Sequence, residues 1–194
     1  MKQGFLGGTF DPPHLGHLIL AQEALEHYSL EKVLFVPSRI PPHKTVSEVT
    51  EFEIRFQMLE LAIEGNSCFE VADLESKDRP SYTVDMLERI SSPDSRPYFI
   101  IGMDSLKEMH MWKQPERVLE LADVVAGTRP GSDPSSVDPD FLKKVRLFSF
   151  PGVWISSSDV RKRVKAGRSI SYLVPERVES YIMSRGLYGA EKGH

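Results

Sequence analysis

The sequence predicts an α/β protein, a single Rossmann-like, doubly wound and mostly parallel sheet with helices on both faces and a C-terminal helical segment. Three observations carry this expectation. Short apolar runs alternate with stretches of helical periodicity along the chain, the arrangement of βαβ units. The run Val33-Leu34-Phe35-Val36 is continuously apolar, as a strand covered on both faces must be. Chemistry-bearing residues cluster directly after the apolar runs, where open parallel sheets bind ligands.

Taken in order, residues 3–6 are a strand ended by Gly7-Gly8. Leu18, Ala21, Leu25 and Tyr28 then recur at helical spacing with Glu23 and Glu26 opposite, predicting an amphipathic helix. Residues 32–37 form the second strand and complete a βαβ unit. Residues 38–50 are a loop centred on Pro41-Pro42-His43-Lys44 and a candidate lid. A helix follows from Thr50 or Glu51 to Glu64, stopped by Gly65. Strands are expected at 69–72, 97–102, 123–127 and 145–150, with helix at 83–90 and a helical turn or two at 117–121. Residues 131–139, rich in Ser, Asp and Pro, read as a mobile loop. Two helices, at about 157–166 and 175–185, close the chain.

At 194 residues the chain suits one well-cored domain spanning 1–194, its C-terminal helical part at about 157–188. A hydrophobic content of 40% and a charged content of 27% are those of an ordinary soluble protein. The net charge of −4 offers no basic field and argues against nucleic acid as a main partner. Cys68, the only cysteine, has no internal disulfide partner and fits a reducing compartment. Met1-Lys2-Gln3 runs into the first strand without a signal pattern, and no stretch approaches bilayer-spanning length. A cytoplasmic protein without membrane partners is expected; a homo-oligomer is compatible with the chain.

The most informative run is Gly7-Gly8-Thr9-Phe10-Asp11-Pro12-Pro13-His14-Leu15-Gly16-His17. It places two histidines three residues apart at the start of a helix, on one face of its first turn. A helix N-terminus presents N–H groups and a positive dipole end, so both imidazoles would aim at one phosphate group. His27, His110 and His194 have no such surroundings. Neither G-x-G-x-x-G nor G-x-x-x-x-G-K-[ST] occurs, which speaks against a dehydrogenase or a P-loop enzyme. A second run, Ile155-Ser156-Ser157-Ser158-Asp159-Val160-Arg161, supplies N-cap candidates. Capping accounts for one serine, whereas hydroxyls, helix N–H groups and a guanidinium together make a polyphosphate clamp.

The first run resembles the (H/T)xGH motif of the nucleotidyltransferase superfamily and the second its ISSTxxR motif, with Ser158 in place of the usual Thr. Between them the chain resembles the bacterial nicotinate mononucleotide adenylyltransferases nearly end to end. The matching pieces are Pro41-Pro42-His43-Lys44, Ser81-Tyr82-Thr83, Gly102-Met103-Asp104, Trp112, Thr128-Arg129-Pro130, Tyr172-Leu173-Val174-Pro175 and Gly186-Leu187-Tyr188. Met86 departs from the Thr common in that family.

The resemblance implies adenylyl transfer from ATP to nicotinate mononucleotide, with Mg²⁺ arriving on the ATP and no dedicated metal cage in the protein. It implies catalytic roles for His14, His17, Lys44 and Arg161. It implies ATP contacts from Gly7, Gly8, Thr9, Phe10, His17, Gly102, Asp104, Ser157, Ser158 and Arg161, with Asp104 on a ribose hydroxyl. It implies mononucleotide contacts from Lys44, Tyr82, Thr83, Trp112 and Arg129, with Trp112 stacked on the pyridine ring. An aromatic face suits a flat ring, and N–H donors favour a carboxylate over a carboxamide. Phosphopantetheine adenylyltransferases and cytidylyltransferases share HxGH but lack the Trp112 and Ser81-Tyr82-Thr83 combination. A nicotinamide-preferring adenylyltransferase and a catalytically silent nucleotide sensor stay open.

Overall fold

Six strands form one parallel sheet in the order β3-β2-β1-β4-β5-β6. They are β1 (Gln3–Gly8), β2 (Lys32–Pro37), β3 (Phe69–Val71), β4 (Tyr98–Gly102), β5 (Asp123–Thr128) and β6 (Arg146–Ser149). The computed structural model describes residues 2–42, 49–92 and 96–190. Strand order reverses between β1 and β4, and this switch point is where the crossovers leave the sheet in opposite directions and open a crevice at the strands' carboxyl ends.

Alternate residues of each central strand enter different cores, as a period of two requires. Phe5, Ile101 and Val124 belong to one cluster, which α3 (Thr83–Ile90), α4 (Met103–Lys107) and α5 (Pro115–Leu121) complete through Leu87, Leu106 and Val118. Leu6, Ile100 and Val125 belong to the other, closed by Leu20, Ala21 and Ala24 of α1 (Leu15–His27). A third cluster joins α2 (Phe52–Ile63), α7 (Ser157–Lys165) and α8 (Glu176–Arg185) through Met58, Val160, Val164, Val178 and Ile182. It ties the C-terminal helices to α2. Helix α1 lies so close to β5 that a methyl group at Gly127 would stand 2.3 Å from Leu20 Cδ1.

The doubly wound parallel sheet and the C-terminal helices are as the sequence predicts. Three segments differ. Strand β1 runs on through Gly7 and Gly8, paired with Val36 and Pro37. Residues after Gly102 turn at once into α4 and a 3₁₀ turn at Met109–Met111. The 131–139 stretch holds a 3₁₀ turn at Pro134–Ser136 and leads into α6 (Pro139–Leu142). Each Asp-Pro pair there is a helix start, because Asp133 and Asp138 accept N–H bonds from Ser135 and Asp140, both at 2.8 Å. Asp as N-cap with Pro at N1 initiates a helix in the same letters that initiate a turn. Among the described residues no helix is long and apolar enough to cross a membrane.

Candidate active site

The carboxyl ends of β1, β4 and β5 and the N-termini of α1, α3, α4 and α7 surround a cavity of about 690 Å³. Its floor is Gly7, Gly8 and Thr9, where β1 ends without bulky side chains. His14 and His17 flank that floor. Their rings stack at 3.6 Å between centroids and 22° between planes. The His14 backbone N–H donates to His17 Nδ1 at 3.1 Å, so a neutral His17 carries its proton on Nε2 and offers a donor there. Phe10, buried with φ 51°, meets the His17 ring edge-on at 4.9 Å. It supports His17 and is not on the cavity wall.

The start of α1 is partly satisfied from within the protein. Leu15 N–H donates to Leu173 O and His17 N–H to His14 O, both at 2.9 Å. The imidazoles therefore carry more of any phosphate contact than the helix end alone would suggest. His14 Nδ1 is buried without a partner among the described residues. It lies against Gly16, where a methyl group would come within 3.0 Å.

Burial, then the charge of Arg129, pushes the His14 pKa down from 6.5 to about 4. His17 is held well below its ordinary value by burial first, then by His14 and Arg129. Both rings are neutral hydrogen-bond donors at neutral pH. An unfolded chain takes up these protons near pH 6.5, whereas the folded His14 resists until about pH 4. The stabilisation is full above pH 6.5 and is lost as pH falls towards 4. Unfolding free energy of the wild type is expected to fall more steeply across that window than that of His14→Gln. Equal slopes would refute the depressed pKa.

The wall beside β4 is built from Tyr82, Thr83, Trp112, Gly102 and Asp104. Tyr82 caps the start of α3, and Ser81 anchors this segment to the loop after β2. Ser81 N–H donates to Ile40 O at 2.9 Å, and Ile40 N–H donates to Ser81 Oγ at 3.2 Å. Trp112 rests edge-on against Phe99 at 6.1 Å. Lys113 pairs with Asp85 at 2.8 Å over the Tyr82 ring. Glu75 also lines the cavity, its pKa raised by burial and partly restored by a hydrogen bond from Ser81.

Opposite, the wall beside β5 and α7 holds Arg129, Trp154, Ser156, Ser157 and Asp159. Ser156 is the N-cap of α7, bonded to Asp159 through both N–H (3.1 Å) and carboxylate (2.7 Å). Ser157 Oγ donates to Pro12 O at 2.8 Å. Arg161 does not line the cavity; it donates to Asp11 O and reaches Ser158 Oγ at 3.4 Å. Lys44 lies outside the described residues. Among those described, no cluster of three or more His, Cys, Asp or Glu is placed to hold a metal ion.

The model of the cytidylyltransferase-like family matches residues 5–163. Proteins described as probable nicotinate-nucleotide adenylyltransferases from Desulfitobacterium hafniense and Lachnoclostridium phytofermentans are both 43% identical. The first alignment covers 95% of this chain and 94% of the relative, the second 96% and 98%. The chain belongs to the nicotinate-nucleotide adenylyltransferase family. The Plasmodium falciparum nicotinic acid mononucleotide adenylyltransferase, in its complex with NaAD, has the same fold, with a TM-score of 0.82 at 24% identity over 97% of this chain and 98% of that one. Its complex with APC gives 0.80 at 23%, covering 96% of each chain.

In this member of the nicotinate-nucleotide adenylyltransferase family, the structure gathers most of the expected site residues around one cavity. Phe10, Ser158 and Arg161 are the described exceptions; none lines it, and Phe10 and Arg161 form a layer against His17 and Asp11 O. That second layer also contains residues whose part sequence reasoning missed. Asp11, 2% exposed, accepts from Tyr188 Oη at 2.6 Å and from Thr50 N–H at 3.3 Å. Arg55, 1% exposed, donates to the carbonyls of Thr9, Ser38 and Thr50, each at 2.7 Å. A signal for Arg55 was present, because it shares the buried stripe of α2 with Met58, Leu59 and Ala62. An arginine at an apolar i, i+3, i+4, i+7 position is buried only when its donors are used.

Proposed function

We propose that this protein transfers the adenylyl group of ATP to nicotinate mononucleotide, giving nicotinate adenine dinucleotide and pyrophosphate in NAD biosynthesis. The observation that carries the reading is the stacked, neutral His14–His17 pair at the glycine floor, between the Trp112 wall and the α7 wall. A phosphate oxygen of the mononucleotide attacks the α-phosphorus in line. The new P–O bond forms as the bond to the β-phosphate oxygen breaks, and pyrophosphate leaves on the far side. Nucleophile and leaving group are both ionised, so no protein nucleophile or strong base is required. Positioning and charge stabilisation supply the catalysis.

His14 and His17 donate to phosphate oxygens as charge builds on them. Gly7, Gly8 and Thr9 let the phosphates approach the backbone closely. Ser157 and Arg129 hold the phosphates from the α7 side, and Lys44 is their further cationic partner. Ser158 and Arg161 act through the loop: Arg161 braces Asp11 O, and contact with phosphate requires its guanidinium to leave that carbonyl. Phe10 fixes the His17 ring from behind. Gly102 and Asp104 face the ATP ribose, Trp112 stacks on the pyridine ring, and the segment at Tyr82 and Thr83 receives the nicotinate carboxylate. Mg²⁺ would arrive with the ATP rather than in a dedicated protein site, and would there supply neutralisation of phosphate charge.

The test is pyrophosphate release from ATP and Mg²⁺ with nicotinate mononucleotide, nicotinamide mononucleotide or phosphopantetheine as acceptor. The nicotinate form is expected to be used with a strong preference. Comparable use of the nicotinamide form would overturn the carboxylate contact. Turnover with none of them would overturn adenylyl transfer in favour of a nucleotide sensor.

A further inference from the structure

Trp154 stands out among the exposed apolar side chains. Met111, Leu147, Trp154 and Tyr172 are the large hydrophobic residues left exposed among those described. Of the four only Trp154, 79% exposed, lines the cavity. An indole left in water forgoes the burial that an aromatic of this size ordinarily gains. The backbone on either side is nonetheless firmly placed. Gly152 N–H donates to Phe150 O at 2.7 Å and Ile155 N–H to Val153 O at 3.0 Å. Ile155 packs into the cluster of α2, α7 and α8, and Val153 approaches Gly16 at the start of α1. The chain is anchored while the indole is held out.

Arg129 is fitted to the same place. Its stem crosses Gly152, where a methyl group would stand 2.3 Å from Arg129 Cγ. Its guanidinium carbon lies 5.2 Å from the centre of the Trp154 ring, within cation–π range. The same charge reaches both histidines and lowers their pKa values. Arg129 therefore stands at the junction between the Trp154 surface and the phosphate-binding floor.

The cavity has an aromatic platform on each wall. Trp112 packs with the cluster on one face of the sheet, whereas the segment carrying Trp154 packs with α1 and α7 on the other. Gly7–Gly8 and the histidine pair line the same cavity. A dinucleotide has this layout, with two flat rings joined through a diphosphate. With the pyridine ring on Trp112, the second platform is left for the second ring.

We propose that Trp154 is the stacking platform for the purine base of ATP, with Arg129 holding the indole from its side and linking base site to phosphate site. The role rests on the adenylyl-transfer reading and adds a base-recognition residue that the motifs do not contain.

The two tryptophans of the chain, Trp112 and Trp154, make the test spectroscopic. In Trp112→Phe the only indole is Trp154. Its emission is expected to change on adding a non-hydrolysable ATP analogue with Mg²⁺, and to stay unchanged with tripolyphosphate or nicotinate mononucleotide. In steady state, Trp154→Ala is expected to raise the KM for ATP by about five- to tenfold, the lower part of the range for base–aromatic stacking. The KM for nicotinate mononucleotide and kcat should hold, and Trp154→Phe should restore most of the ATP affinity. An unchanged KM for ATP in Trp154→Ala, or Trp154 emission answering to the mononucleotide or to tripolyphosphate alone, would overturn the platform. If the wild-type protein forms no dinucleotide, adenylyl transfer fails separately, and the ATP-analogue titration still decides whether Trp154 meets the base.

Discussion

Replacing His17 by Ala is expected to lower kcat by about two to three orders of magnitude while changing the KM of either substrate little. The size follows from what is lost, a preorganised donor at the point where charge develops, commonly worth about 2.7–4 kcal/mol in the transition state. Three features preorganise the ring. Its Nδ1 is occupied by the His14 N–H, so the proton resides on Nε2. Its plane is fixed between His14 and Phe10. Its low pKa, caused by burial and then by His14 and Arg129, keeps it a neutral donor until a polyanion arrives. A phosphate bound beside it adds negative charge, which favours donation and raises that pKa. His17→Asn keeps a donor of shorter reach and should lie between Ala and wild type. The measurement is steady-state pyrophosphate release with both substrates varied. Near-normal turnover in His17→Ala would remove the histidine from the chemistry.

The parts of this molecule that repeat a local pattern were legible in its sequence. Strand β2 is apolar on every residue from Val33 to Val36 because both faces of the sheet are covered, and α1 forms where its apolar spacing places it. Of the expected stripe Ala21 is fully buried and Leu18, Leu25 and Tyr28 partly, while the deepest side is Leu20, Ala21 and Ala24. The histidine pair was legible because its chemistry and its spacing lie within one helical turn. What stayed hidden depends on contacts distant in sequence. Nothing local to Tyr188 indicates that its hydroxyl closes on Asp11, 177 positions away. Nothing local to Arg161 shows that its guanidinium turns to the Asp11 carbonyl rather than to the cavity. The short helices after Gly102 and Pro139 were hidden for another reason. Their few residues have no room for a period, and their caps use turn letters.

Arg55 is where those distant contacts converge, and its replacement by Met is expected to cost about 3–5 kcal/mol of stability. Methionine roughly fills the space, so lost volume is the smaller part of the effect. The larger part is three carbonyls, Thr9 O, Ser38 O and Thr50 O, that give up a charged donor inside the protein. Thr9 follows the end of β1, Ser38 follows the end of β2, and Thr50 precedes α2. One planar guanidinium thus clamps three chain segments behind the cavity floor, and Ser38 N–H adds a bond to Gly8 O at 2.9 Å. Burial lowers the Arg55 pKa and nearby Asp11 opposes the shift, so the cation is retained by its partners rather than by solvent. Lysine cannot replace it, since one ammonium does not span three carbonyls in a plane. Arg55→Lys should recover only a minor share. Urea unfolding followed by circular dichroism gives the values, and a loss below about 1 kcal/mol in Arg55→Met would mean that water replaces the guanidinium without penalty. Against the usual 5–15 kcal/mol of a folded domain, the expected loss is large enough to reach activity as well. The segments that loosen first are those that hold Thr9 and His14 in register, so turnover should decline at temperatures well below the variant's own unfolding midpoint.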